Sequence, residues 1–177
     1  MSATPFPDPT APPRRATQAA IPAAAAETAS DAVIVDVDGT LAVLDTETVA
    51  PWVLGAEKHW EPFFEHMAKA AVIEPVARLV RLLKAQGQRI LICSGRPASH
   101  RAHTRDWLVA NEIPFDALYL RPEGDDEVAD EAVKARLLSR MHEEGFRPWI
   151  VIDDRDAVVA GWRRLGLTCL QCAEGNF

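Results

Sequence analysis

The stretch AVIVDVDGTLA, residues 32–42, decides the fold. Its first half is a β-branched apolar run, the composition of a strand buried on both faces. Its second half sets two carboxylates, Asp36 and Asp38, one residue apart, with Gly39 and Thr40 directly after them. An ionised acid beside a hydrophobic core is costly unless something pairs with it. Two acids at the end of a buried strand therefore imply a cation, a proton or a substrate close by.

The chain downstream repeats one pattern. EPVARLVRLLKAQG (74–87) carries Val76, Leu79, Val80 and Leu83 at helical spacing and ends on Gly87, a residue suited to closing a helix. QRILICS (88–94) reads as a second strand, 98–110 as a helix ending near Asn111, and DALYL (116–120) as a short strand. VADEAVKARLLSRMHEEG (128–145) reads as a helix stopped by Gly145 and PWIVID (148–153) as a strand. RDAVVAGWRRLG (155–166) reads as a helix with Val158, Trp162 and Leu165 on one face, before a last strand in LTCLQC (167–172). Strands alternating with helices make an α/β fold, a parallel sheet with helices on both faces. Ligand sites in such sheets form at the carboxyl ends of the strands. That rule gathers Asp36 and Asp38, Ser94-Gly95-Arg96, and Asp153-Asp154 onto one rim.

Crowded carboxylates repel one another unless a cation sits among them. An all-oxygen ligand set selects a hard ion, and Mg²⁺ is the expected one. With the charge neutralised, one acid can serve as nucleophile and another as proton shuttle. The amides around Gly39, and Ser94 with its neighbours, suit phosphate oxygens, and Lys134 on the 128–144 helix adds a point charge.

In order and spacing, DVDGTLA, ICSGR, AVK and IDDR resemble the four motifs of the haloacid-dehalogenase superfamily of phosphohydrolases. The resemblance runs from about residue 32 to the C-terminus. IDDRDAVVAGWRRLGLTCLQCAEGNF and LRPEGDDEVADEAVK narrow it to the phosphatase domain of phage-type polynucleotide kinase/phosphatase. The resemblance implies a Rossmann-like sheet with a small cap inserted after the first strand, at 42–73. It implies Asp36 as the nucleophile that forms an aspartyl-phosphate and Asp38 as the acid/base. It places Mg²⁺ between Asp36, the backbone carbonyl of Asp38 and an acid of the Asp153/Asp154 pair, with Asp154 preferred. Ser94 and Lys134 would hold the phosphoryl oxygens, with Gly39, Thr40 and Gly95 around them and Arg96, Asp130 and Arg155 near the substrate. One departure stands out: that branch carries an arginine just after the first motif, and residues 41–57 contain none, with Lys58 as the nearest cation.

The implied function is a Mg²⁺-dependent phosphomonoesterase acting on nucleic-acid 3′-phosphate ends or nucleotides, with a general metabolite phosphatase as the alternative. Receiver domains share the residue types, but their phospho-accepting Asp follows the acid pair, whereas here D-x-D-G-T comes first. No G-x-x-x-x-G-K-[ST] is present, so a kinase partner would be a separate protein. The net charge of −7 argues against an extended DNA-binding surface. No apolar run reaches membrane-spanning length, and a cytoplasmic location is expected.

Three local expectations complete the reading. Residues 1–30, rich in proline and alanine, should form a disordered tail. Within EKHWEPFFEHMAKA (57–70), Trp60, Phe63, Phe64 and Met67 make an apolar stripe suited to packing against the domain. Cys169 and Cys172 read as reduced, half-buried cysteines, and His100 and His103 as a solvated helix face.

Overall fold

The computed structural model describes residues 30–53 and 57–175, and the expected tail lies outside them apart from Ser30, which opens the first strand. Five strands form one parallel sheet: β1 (Ser30–Val35), β2 (Arg89–Pro97), β3 (Ala117–Arg121), β4 (Phe146–Asp153) and β5 (Thr168–Gln171). Their spatial order is β3-β2-β1-β4-β5, with β1 central and paired to β2 and β4. The β-branched run of β1 is central because only a strand covered on both faces keeps such a run dry. Val33, Ile34 and Val35 are 0–1% exposed.

Alternate residues of β1 serve two cores. Val33 and Val35 pack with Ile90 and Ile92 beneath α1 (Thr46–Val53), α2 (Trp60–Met67), α3 (Glu74–Ala85) and α4 (Arg101–Ala110). Ala32 and Ile34 pack with Leu91, Cys93 and Val151 against α5 (Asp130–Glu143) and α6 (Asp156–Arg164). The expected α/β sheet with helices on both faces is therefore present.

Several local readings change. A short 3-10 turn at Ala98–His100 precedes α4, so that helix starts later than its pattern suggests. Helix α1 went unforeseen, because eight residues with an internal Pro51 carry little periodic signal. Leu79 and Leu165 are 38% and 47% exposed; the buried faces use Val76, Ala77 and Val80 in α3, and Val158, Val159 and Trp162 in α6. Cys169 is buried and Cys172 exposed, and both are free thiols. His100 is not simply solvated: its ring stacks on Phe64 at 4.6 Å between centroids and 5° between planes, and His103 lies 5.3 Å from the same ring. Among the described residues, no helix is long and apolar enough to cross a membrane.

Candidate active site

The turn after β1 aims its two acids. The Asp36 amide still donates to Ile152 O at 3.0 Å, so the ladder to β4 runs one residue past the strand and holds Asp36 beside Asp153. The chain then folds back, with the amides of Leu41 and Ala42 donating to Val37 O at 2.8 Å. Gly39 makes this reversal at φ +85°, a conformation costly for any residue with a Cβ. A Cβ there would also collide with the carboxylate of Asp154. The glycine thus lets the first motif and the acid pair close on each other.

Asp36, Asp153 and Asp154 are all buried, and one carboxylate oxygen from each lies within 4.8 Å of the other two. Lys134, on α5 and 4% exposed, reaches into this group, with Nζ 2.8 Å from Asp36 Oδ1 and 2.8 Å from Asp153 Oδ2. Asp153 accepts two more bonds, from Trp162 Nε1 at 3.1 Å and the Arg155 amide at 3.3 Å. Asp154 instead accepts from Thr40 Oγ1 at 3.0 Å, and Cys172 Sγ donates to that hydroxyl at 3.5 Å.

The electrostatics follow from this crowding. Burial raises the Asp36 carboxyl well above the ordinary range; Lys134 opposes the rise, while Asp153, Asp154 and Asp38 add to it. Burial also pushes Asp154 up to about 6, with Asp153 adding and the Thr40 bond resisting. Burial works against the Lys134 ammonium, but Asp153 and Asp36 outweigh it and hold its pKa well above normal. Three buried acids against one lysine leave an excess of negative charge that a divalent cation would balance. The all-oxygen donor set fits such an ion.

Asp38 stands outside this trio. Its carboxylate receives a two-toothed grip from Arg96, with Nε at 2.8 Å and Nη2 at 2.6 Å. Arg96 is 2% exposed, reaches Thr104 Oγ1 at 3.3 Å, and lies over the Phe63 and Phe64 rings at 5.7 and 5.5 Å. The sequence placed Arg96 beside the substrate; it does line the cavity, but its guanidinium is largely engaged in holding Asp38. Ser94 is buried, its Oγ accepting the Arg96 amide at 3.2 Å.

Asp130 sits on the far side, ion-paired to both Arg121 and Arg155. Arg121 is a residue that sequence reasoning missed. It ends β3, donates to Gly95 O at 3.0 Å and Val128 O at 2.7 Å, and so ties the second motif to the segment leading into α5. Its signal was available: a basic residue at the carboxyl end of the third strand. A cavity of about 280 Å³ opens above the acids, Lys134, Ser94 and Arg96, walled on one side by Leu44, α1 and the start of α2.

The family model described as the polynucleotide kinase PNKP phosphatase domain matches residues 30–177. The chain belongs to this family. As a phosphatase of the haloacid-dehalogenase kind it is a phosphoric monoester hydrolase. A chain from a structure of a Pnkp1/Rnl/Hen1 complex is 28% identical with a TM-score of 0.70, covering 85% of this phosphatase and 48% of that chain. A chain from a Pnkp1/Rnl/Hen1 RNA repair complex matches equally well, with 45% of it covered. The phosphatase thus spans about half the length of these solved chains. The class C acid phosphatase from Bacillus anthracis, 15% identical with 86% of this chain and 69% of that one covered and a TM-score of 0.57, shares the fold.

Proposed function

We propose that this enzyme is a Mg²⁺-dependent 3′-phosphatase of nucleic-acid ends that works through an aspartyl-phosphate on Asp36. The observation that carries the reading is Lys134 spanning Asp36 and Asp153 inside a trio of buried carboxylates on the cavity floor. Phosphoryl transfer is mainly positioning and charge neutralisation, and these groups supply both.

In this reading Asp36, the Asp38 carbonyl and Asp154 would hold the cation. Asp153 is already engaged by three donors, whereas Asp154 has the Thr40 hydroxyl alone among the bonds described above. A divalent cation such as Mg²⁺ held there would screen the negative charge that otherwise keeps a carboxylate from a phosphate dianion. Asp36 attacks phosphorus, the bond to the 3′ oxygen breaks, and the Asp38 carboxyl gives that oxygen its proton. Asp38, now ionised and held by Arg96, takes a proton from water as that water attacks phosphorus. Inorganic phosphate leaves and Asp36 is restored. Lys134 and the Ser94 hydroxyl face the transferring oxygens, with the Gly95 amide beside them; the amides of Gly39 and Thr40, expected from the sequence to help, are taken by Ala42 O and Val37 O inside the turn. Asp130, with Arg121 and Arg155, shapes the far wall.

The 28% identity to a chain from an RNA repair complex favours a strand end over a small metabolite. Free nucleotides are the second reading, supported by the net charge of −7 and the small cavity. The test is Mg²⁺-dependent phosphate release from a 3′-phosphorylated oligonucleotide, its 5′-phosphorylated counterpart, mononucleotides and an aryl phosphate, with Asp36→Asn alongside. The 3′-phosphorylated strand is expected to turn over best and Asp36→Asn to lose activity by at least about 10⁴-fold. Release from the aryl ester alone ends the nucleic-acid reading, and turnover by Asp36→Asn ends the covalent one.

A further inference from the structure

The cavity floor is charged, but its cap wall is apolar. Leu44, Ala50, Val53 and Trp60 line the cavity, and each is only half-buried. Transfer of a phosphoryl group uses none of this surface. Half-exposed apolar side chains on a concave wall beside a reactive centre mark an apolar part of the ligand that covers them. On the cap side, Thr46 and Lys58 are the polar residues that line the cavity. That is a poor complement to a sugar phosphate or a hydroxy acid, whose hydroxyls need several partners. A nucleobase is flat, largely apolar on its faces and polar along its edge, and complements this wall.

Trp60 supplies an aromatic platform held in place from behind. Phe63 meets it edge-on at 5.8 Å and 82°, Phe64 meets Phe63 at 5.2 Å and 85°, and His100 stacks on Phe64. An indole so braced loses little freedom when a ring settles against it, which favours binding. A cavity of about 280 Å³ has room for one nucleoside and not for a duplex. We propose that this wall, with Trp60 as its aromatic surface, binds the base of the nucleoside that carries the scissile phosphate. The inference rests on the phosphatase reading above and adds to it a recognition element for the terminal base. Stacking on an aromatic face tolerates any base, so the four bases are expected to be accepted alike.

The experiment compares a 3′-phosphorylated oligonucleotide, the same strand with an abasic terminal sugar, and a nucleoside 3′-monophosphate. For the wild type, loss of the base is expected to raise KM by at least about tenfold, within the range measured for base–aromatic stacking, with kcat little changed. Trp60→Ala should bring the intact strand to the KM of the abasic one and leave the abasic KM where it was. Trp60→Phe should restore most of the difference, and the wild-type comparison of intact and abasic strands carries the test where Trp60→Ala fails to fold. The mononucleotide should respond to Trp60 by the same factor as the strand. Equal wild-type KM for intact and abasic strands overturns the proposal, as does a Trp60 effect of equal size on both. A Trp60 effect on the strand but not on the mononucleotide also overturns it, because the wall would then hold something upstream. Turnover of neither strand ends the strand-end reading of the function, and this subsite with it; turnover of both at equal KM ends the subsite alone.

Discussion

Lys134→Met keeps the bulk of a side chain that is 4% exposed and removes its charge. Its Nζ stands 2.8 Å from oxygens of both Asp36 and Asp153. At an effective dielectric constant of about 20, each contact is worth about 6 kcal/mol before solvation is counted. Most of that is offset by the cost of taking the ions out of water. The net loss depends on what the acids do next, because one more carboxylate must then be neutralised in the folded state. Keeping a proton at pH 7 on a group with an ordinary pKa of about 3.9 costs about 4 kcal/mol. That agrees with the roughly 3–5 kcal/mol typical of a buried charge stripped of its partner. At roughly 2–4 °C per kcal/mol for a domain of this size, Tm in chelator should fall by about 8–16 °C at pH 7. The folded variant then holds a proton that the unfolded chain releases, so its stability falls as pH rises. At pH 5 the same proton costs about 1.5 kcal/mol. The deficit should then shrink to about 3–6 °C. The assay is a pair of thermal melts by circular dichroism, wild type against variant, in excess chelator at each pH. A deficit below about 2 °C at pH 7, or one that grows toward pH 5, refutes the reasoning.

Three further outcomes are expected. Arg96→Lys retains the charge but loses the two-toothed grip on Asp38, so kcat should fall by about 10²-fold with KM nearly unchanged in steady-state kinetics. Gly39→Ala and Gly87→Ala both place a Cβ at positive φ, but only the first meets Asp154, while the second faces open space. Denaturant melts should show about 1–3 kcal/mol lost at each from backbone strain, and phosphate release should be lost at Gly39 alone. With Asp154 pushed up to about 6, protons compete with the cation, and Mg²⁺ affinity should fall about tenfold per unit below that pH. At one hundred times its Kd, Mg²⁺ should stabilise the protein by about 2.7 kcal/mol, and the same concentration should give about half of that at pH 5; equal shifts in Tm at both pH values would contradict a carboxylate site.

Much of the site was legible in the order of its residues. Asp36, Ser94, Lys134 and the Asp153-Asp154 pair each sit at a strand end or on a crossover helix, and a parallel sheet brings strand ends together whatever the details of packing. Other features had no local signal. The grip of Arg96 on Asp38 joins residues 58 apart, and nothing around either residue marks the other as its partner. Arg121 looked like the end of a strand until Asp130 and Gly95 met it. Leu79 and Leu165 follow helical spacing but lie at the edge of the buried stripe, because periodicity gives the direction of an apolar face and not how far the neighbouring element covers it.

The sequence by itself determined the alternating α/β architecture, the burial of the first strand on both faces and the set of acids that gather on one rim of the sheet. These depend on short-range rules: side-chain period, β-branching and the residues that end helices. Tertiary structure alone decided how the charges are shared. It set Lys134 between Asp36 and Asp153, left Asp154 to Thr40, assigned Arg96 to Asp38, and placed Trp60 on the cavity wall. Those outcomes depend on the distances between groups far apart in the chain and on how deeply each is withdrawn from water, and both are properties of the packed molecule.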